Sequence, residues 1–386
     1  MKTMNKAILL LVFAGFVLTG GCDKNDTPEP GMELLALFFA ISDYNEPEDN
    51  YHGILVIDAN TMEVLNILKS DKYFNSIELS SDNKTWYVIS SSYLDPDNFL
   101  LQAIDSKTGD VVEEVEVNNP KMALSKNSEV FVVYGGLNKG MQFVDKNTFE
   151  IIHEEDTYEI FQEDTLYANV KVADFSPSDK LYYGWRNKIF EYDINEFTIT
   201  QEFPIQGEAS HNLKLSDINI SPDGKNIYVT TRYFSQGAFF SIEIASGKFN
   251  FYNAGYHSQI AVSPDGRHVY ITDPAGLPNP YDTYPMPTNK VLRYDVKEET
   301  METFIEGVDE LGLTNGYIYT SYPHVGPDNK YLYMVLWSRK YTADGNPVDV
   351  VQVNIKTKRV VGFLELPENW RGWMVRDSKI GKYKTR

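Results

Sequence analysis

Three short stretches pair a tryptophan with an arginine: Trp185-Arg186, Trp337-Ser-Arg339 and Trp370-Arg371. An indole offers a flat apolar surface, and a guanidinium offers a planar, permanently charged fork of donors. Together they suit a ligand that carries a ring and a carboxylate or phosphate. Arg232-Tyr233, Tyr44, Tyr73, Tyr93, Tyr281 and His257 add to this candidate ligand-binding set, because aromatics and arginine are what binding surfaces enrich. The competing account is structural, with tryptophans wedged between packed elements and arginines held in ion pairs.

Signatures of catalysis are missing. There is no HExxH, no G-x-S-x-G and no P-loop, and the single cysteine, Cys22, lies in the leader. The acidic stretch Asp43, Glu46, Glu48, Asp49 lacks the regular ligand spacing of a calcium loop. No metal and no cofactor are expected. The net charge of −20 argues against nucleic acid, whose phosphates reward basic patches.

These residues must be positioned by a repeated element. Ser221-Pro-Asp-Gly-Lys-Asn-Ile-Tyr-Val-Thr recurs as Ser263-Pro-Asp-Gly-Arg-His-Val-Tyr-Ile-Thr and, more loosely, from Ser80, Ser125, Ser176 and Gly326. Each reads as a tight turn followed by a strand of period two. A second signature, an apolar strand ending in an acid or amide before a polar turn, ends at Asp58, Asp105, Asp145, Asp193, Glu243, Asp295 and Asn354. The intervals leave room for four short strands each, the mark of a β-propeller. Seven anchors predict an all-β fold of seven four-stranded antiparallel blades. The abundance of aromatics, 26 Tyr and 21 Phe, suits it.

The Ser-Pro-Asp-Gly turn, the Tyr-Val-Thr strand and the following Ile-Asp-x-x-Thr stretch resemble the YVTN-type, surface-layer-like seven-bladed propellers, over nearly all of residues 34–377. Six copies of the first signature face seven of the second, so one blade lacks an inner strand. Leu34–Ile41 fits the second strand of blade 1, and Gly372–Lys379 resembles an inner strand. The C-terminus is therefore expected to complete blade 1 and close the ring.

The N-terminus carries an address. Lys2 and Lys6, the apolar run Ala7–Leu18 and small residues before Cys22 form a secretory leader. It resembles a bacterial lipoprotein signal, which implies a lipidated Cys22. The expected organisation is leader 1–22, flexible tether 23–33, propeller 34–379 and a tail 380–386. An acidic stretch after the cysteine, as in the lipoproteins this resembles, implies an outer-membrane protein displayed at the cell surface.

With Ser-Pro-Asp-Gly joining the two inner strands of each blade at one end, the long connections gather at the other end, together with the candidate ligand residues. His211, His257 and His324 precede inner strands at different offsets from the turn. The resemblance to nutrient-binding propeller lipoproteins, which capture corrinoids or siderophores, implies a small-molecule ligand bound beside an outer-membrane transporter, and the net charge of −20 suits a monomer. Lactonase propellers, with Arg, Glu and His at the axis, are an alternative, with Arg232, Glu78 and His257 as stand-ins; a scaffold for a partner protein is another.

Overall fold

The computed structural model describes residues 33–41, 52–92, 95, 98–136, 140–156, 170–205, 214–233, 236–254, 258–272, 290–307, 309–311, 313–314, 320–342, 347–366 and 375–384. They form seven antiparallel sheets. We letter the strands of each blade A to D from the axis outward.

Blade 1 is Val375–Lys384, Glu33–Ile41, His52–Asp58 and Val64–Ser70. Blade 2 is Tyr73–Leu79, Thr85–Ser91, Phe99–Asp105 and Val111–Val117. Blade 3 is Lys121–Leu124, Val130–Tyr134, Met141–Asp145 and Ile151–Glu155. Blade 4 is Val172–Phe175, Leu181–Trp185, Lys188–Asp193 and Thr198–Pro204. Blade 5 is Lys214–Ile220, Asn226–Tyr233, Gln236–Glu243 and Phe249–Ala254. Blade 6 is Ile260–Val262, His268–Thr272, Val291–Asp295 and Thr300–Ile305. Blade 7 is Thr320–Val325, Tyr331–Thr342, Pro347–Asn354 and Arg359–Leu364. Its overlong strand B also pairs with a fifth short strand, Leu313–Thr314.

The turn chemistry explains the repeat. In blade 5 the Ser221 hydroxyl donates to Asp223 at 2.7 Å and accepts from the Asn226 N–H at 2.9 Å, while Gly224 sits at φ +70°. Blade 6 repeats this at Ser263, Asp265 and Gly266. At the C–D turns, one oxygen of Asp58, Asp105, Asp145, Asp193 or Asp295 accepts two backbone N–H groups two and three residues on. These are Asx-type turns, which need a short side chain with an acceptor at that position.

Blade 1 closes as expected: Val375–Lys384 pairs along the whole of Glu33–Ile41. The strand runs on through Ile380–Lys384, where the sequence suggested a tail, because Tyr383 packs edge-on against Phe38 and stacks with Trp86 of blade 2. The core is seven apolar clusters among the described residues, each shared by two neighbouring blades. Burial therefore holds blade to blade, and closing the ring satisfies both ends of the array.

Candidate functional site

Strand register places one residue of every blade at a common level on the axis. Lys379, Glu78, Ala123, Asp174, Asn219, Ala261 and His324 each face the strand-B position whose strand-C partner lies two residues before the C–D anchor. One level nearer the B–C and D–A end, two residues earlier, stand Asp377, Ser76, Lys121, Asp217 and Gln259. In blades 1, 2 and 5 the pairing shifts just beyond this level, on its D–A side, and in blade 7 it shifts between Ser321 and His324.

Three aspartates clamp neighbouring blades in one manner. Asp377 accepts from the Ile77 N–H of blade 2 at 2.9 Å, Asp174 from Ile220 of blade 5 at 3.0 Å, and Asp217 from Ile260 of blade 6 at 2.8 Å. The second oxygen of each accepts the following N–H on its own strand. An inner strand is a sheet edge with unpaired N–H groups, and these carboxylates satisfy them where water is scarce. Between blades 6 and 7 the Gln259 side-chain carbonyl does the same for the Tyr322 N–H at 2.5 Å.

Lys379 and Glu78 pair across the seam of blades 1 and 2 at 2.8 Å, with 34% and 18% of their side chains accessible. Removal from bulk water raises the Glu78 carboxyl, with Lys379 pulling the other way. The same desolvation raises Asp174 and pushes Asp217 up to about 7. For His324 it favours the neutral ring, down to about 3, and Nε2 lies 2.7 Å from the Ser378 hydroxyl. Glu78, the acid of the lactonase reading, is thus tied to Lys379, and Arg232 lies on blade 5, distant in chain order; His257 is outside the described residues. Among the described residues no cluster of three His, Cys, Asp or Glu has a metal-holding arrangement.

At the B–C end, Trp185 closes strand B of blade 4 and the Arg186 guanidinium lies over its ring at 4.6 Å. Arg186 takes φ 54°, a left-handed conformation that costs an L-residue roughly 1–2 kcal/mol. Of eleven non-glycine residues with positive φ among those described, nine belong to A–B or C–D turns; Arg186 and Tyr322 alone lie towards the opposite end. The indole itself is 5% exposed and packs in the apolar cluster of blades 3 and 4, so the stack presents the cation and not the ring.

Backbone register puts Arg232 and Tyr233 at the same end of blade 5, and Trp337 and Arg339 on the overlong strand B of blade 7. Tyr73 departs from expectation: it is 1% exposed and packs edge-on against His52 at 4.2 Å, inside the seam of blades 1 and 2. Cys22, Tyr44, Tyr93, His211, His257, Tyr281, Trp370 and Arg371 lie outside the described residues. Sequence reasoning passed over the axial aspartates, Lys379 and Lys121; their only signal was polar residues at alternate positions of inner strands.

No known family profile matches the sequence, and no curated protein matches it. Solved structures do. A Bacteroides uniformis protein assigned provisionally as a 6-phosphogluconolactonase is 13% identical with TM-score 0.59, over 90% of this chain and 99% of that one. A Lactobacillus plantarum protein is 11% identical with TM-score 0.59 over the same shares. Kuenenia stuttgartiensis hydrazine synthase is 18% identical with TM-score 0.54, over 73% of this chain and 77% of that one. At such identities the likeness establishes the seven-bladed fold and leaves the activity to the site.

Proposed function

We propose that the protein is a capture module: a propeller anchored through lipid on Cys22 at the outer-membrane surface, binding a nutrient over the B–C and D–A end of the ring. The observation that carries this is the gathering of the Trp185–Arg186 stack, Arg232–Tyr233 and Trp337–Arg339 at one end of a rigid ring. Scaffold ends that carry the long connections are where ligands are usually met. Beneath them Glu78 and His324 are engaged with Lys379 and Ser378, which favours holding a ligand over turning one over. A corrinoid or ferric siderophore, large and partly anionic, suits such a face, and delivery to an outer-membrane transporter is the step that follows capture.

The test is a thermal-shift screen of the full chain against corrinoids, ferric siderophores, haem, glycans and sugar lactones. A bound compound raises Tm as its concentration exceeds Kd. The expected result is a shift with one class, reduced in Arg232→Ala and Arg339→Ala. Hydrolysis of a sugar lactone, lost in Glu78→Gln, would replace this reading with the lactonase one. No shift with any compound would turn it towards a protein partner.

A further inference from the structure

Among the described residues strand D of every blade is the outermost of its sheet, and an unpaired edge invites another chain. Six of the seven edges are guarded in two ways. Their C–D pairing shifts by one residue, which bends the strand. Each of the six also carries at least one charged side chain. Strand D of blade 5, Phe249–Ala254, has neither device. Its residues, Phe-Asn-Phe-Tyr-Asn-Ala, are all uncharged and pair with residues 237–242 of strand C in unbroken register.

This edge is open and held in place. The Lys248 carbonyl accepts from the Glu243 N–H at 2.8 Å. Alternation from that pair directs the N–H and C=O groups of Phe249, Phe251 and Asn253 away from strand C. Phe251 is 52% exposed, and its ring centroid lies 5.3 Å from that of Phe240, in the apolar cluster of blades 4 and 5. The other side of the strand is pinned to blade 6. There Lys248 pairs with Glu299 at 3.0 Å, the Tyr252 hydroxyl donates to the Glu299 carbonyl, and the Asn250 amide donates to the Tyr294 hydroxyl at 3.4 Å. An added strand would meet a preformed template.

A row of alternating backbone donors and acceptors is matched in register by another extended polypeptide. Charge selects which one. The exposed Glu196 and Glu202 stand on the blade 4 side, and Glu298, Glu299 and Glu302 on the blade 6 side. A second copy would bring a further −20 to the contact, whereas a segment with basic ends is drawn to it. We propose that strand D of blade 5 is a docking edge for an extended segment of a partner protein, apolar at alternate positions and basic at its ends. The segment adds a fifth strand to the blade. This goes beyond the capture reading and stands without it, because the edge lies on the outer rim of the ring and capture uses one end.

The probe is a labelled ten-residue peptide of alternating valine and threonine with two lysines at each end, titrated with the full chain and followed by fluorescence anisotropy. A counterpart ending in glutamates tests the charge. Asn253→Pro removes an outward N–H at a place where an edge strand tolerates proline, and Phe251→Lys gives the edge the charge it lacks. Each should raise the Kd for the lysine peptide about ten-fold. Val361→Lys, on strand D of blade 7, adds the same charge elsewhere and should leave it unchanged. The glutamate peptide should bind more weakly, and the difference should shrink as salt is added. No binding of the lysine peptide to the wild type overturns the proposal, as does equal binding by the wild type and both edge variants. Tighter binding of the glutamate peptide overturns the stated partner. A concentration-dependent dimer in sedimentation, abolished by Asn253→Pro, would assign the edge to a second copy and overturn it too.

Discussion

A carboxylate on the axis of a propeller meets two opposed demands. It must be charged to accept backbone N–H groups well, and it must shed that charge where water is scarce. At Asp217 burial wins: two N–H groups lower its pKa, yet it rises to about 7. An unfolded aspartate titrates near 3.9. Stability from this group is therefore full below about pH 4 and is lost as the pH rises through about 7. Glu78 and Asp174 are raised as well and act in the same direction. His324, held neutral down to about 3, acts oppositely: its contribution is present above about 6.5 and is lost on acidification. The net profile of the wild type mixes these terms, but the difference between wild type and Asp217→Asn isolates one of them. The amide keeps one acceptor oxygen and cannot ionise. At pH 5 the variant should be less stable by about 1 kcal/mol, the worth of one hydrogen bond. By pH 8 that deficit should vanish or reverse. Urea midpoints at the two pH values measure it, and a deficit that grows with pH would refute the assignment.

The inner strand is the element on which the ring depends, and its exposed edge is its weak point. Asp377 shows how that edge is managed, since one oxygen serves both the Ser76 hydroxyl and the Ile77 N–H at 2.9 Å. Asp377→Ala would leave the N–H of fully buried Ile77 unsatisfied and remove one of the anions around Lys379. The expected loss is about 2–3 kcal/mol, with Asp377→Asn losing less; chemical denaturation of both variants checks the order. Much of this architecture was legible in the sequence because turn chemistry is local. Ser-Pro-Asp-Gly and the Asp anchors specify their turns within five residues, and the excess of seven anchors over six turns located the strand supplied by the C-terminus. The axis was not legible, because its levels depend on the register of seven inner strands against their neighbours and on which side chains meet across a seam. Trp185-Arg186 shows both sides of this. Its pairing was readable as neighbours in sequence, while the burial of the indole depends on Tyr134 and Met141 of blade 3, far away in the chain.

Across the whole molecule, stability is shared among seven apolar clusters, each held by two blades. An open array of this kind ends in two unsatisfied faces, whereas a ring has none. Val375–Lys384 converts one into the other. It covers the edge of Glu33–Ile41, supplies the Asp377 clamp and the Lys379–Glu78 pair, and carries Tyr383 into the core of blades 1 and 2. A chain ending at Pro367 loses all four contributions together. Blade 1 would keep three strands with an open inner edge, and the seam between blades 1 and 2 would lose both its polar clamp and its aromatic stack. The full chain should then unfold in one transition that tryptophan fluorescence and far-ultraviolet circular dichroism report alike. The truncated chain should unfold in a broader transition with a smaller denaturant slope, since less surface is exposed in each step. Adding a peptide of residues 367–386 should restore the sharp transition, because the missing strand has a preformed edge to pair with. A truncated chain as stable and cooperative as the full one would mean that the blades hold together without the closing strand, and that the axial clamps contribute little.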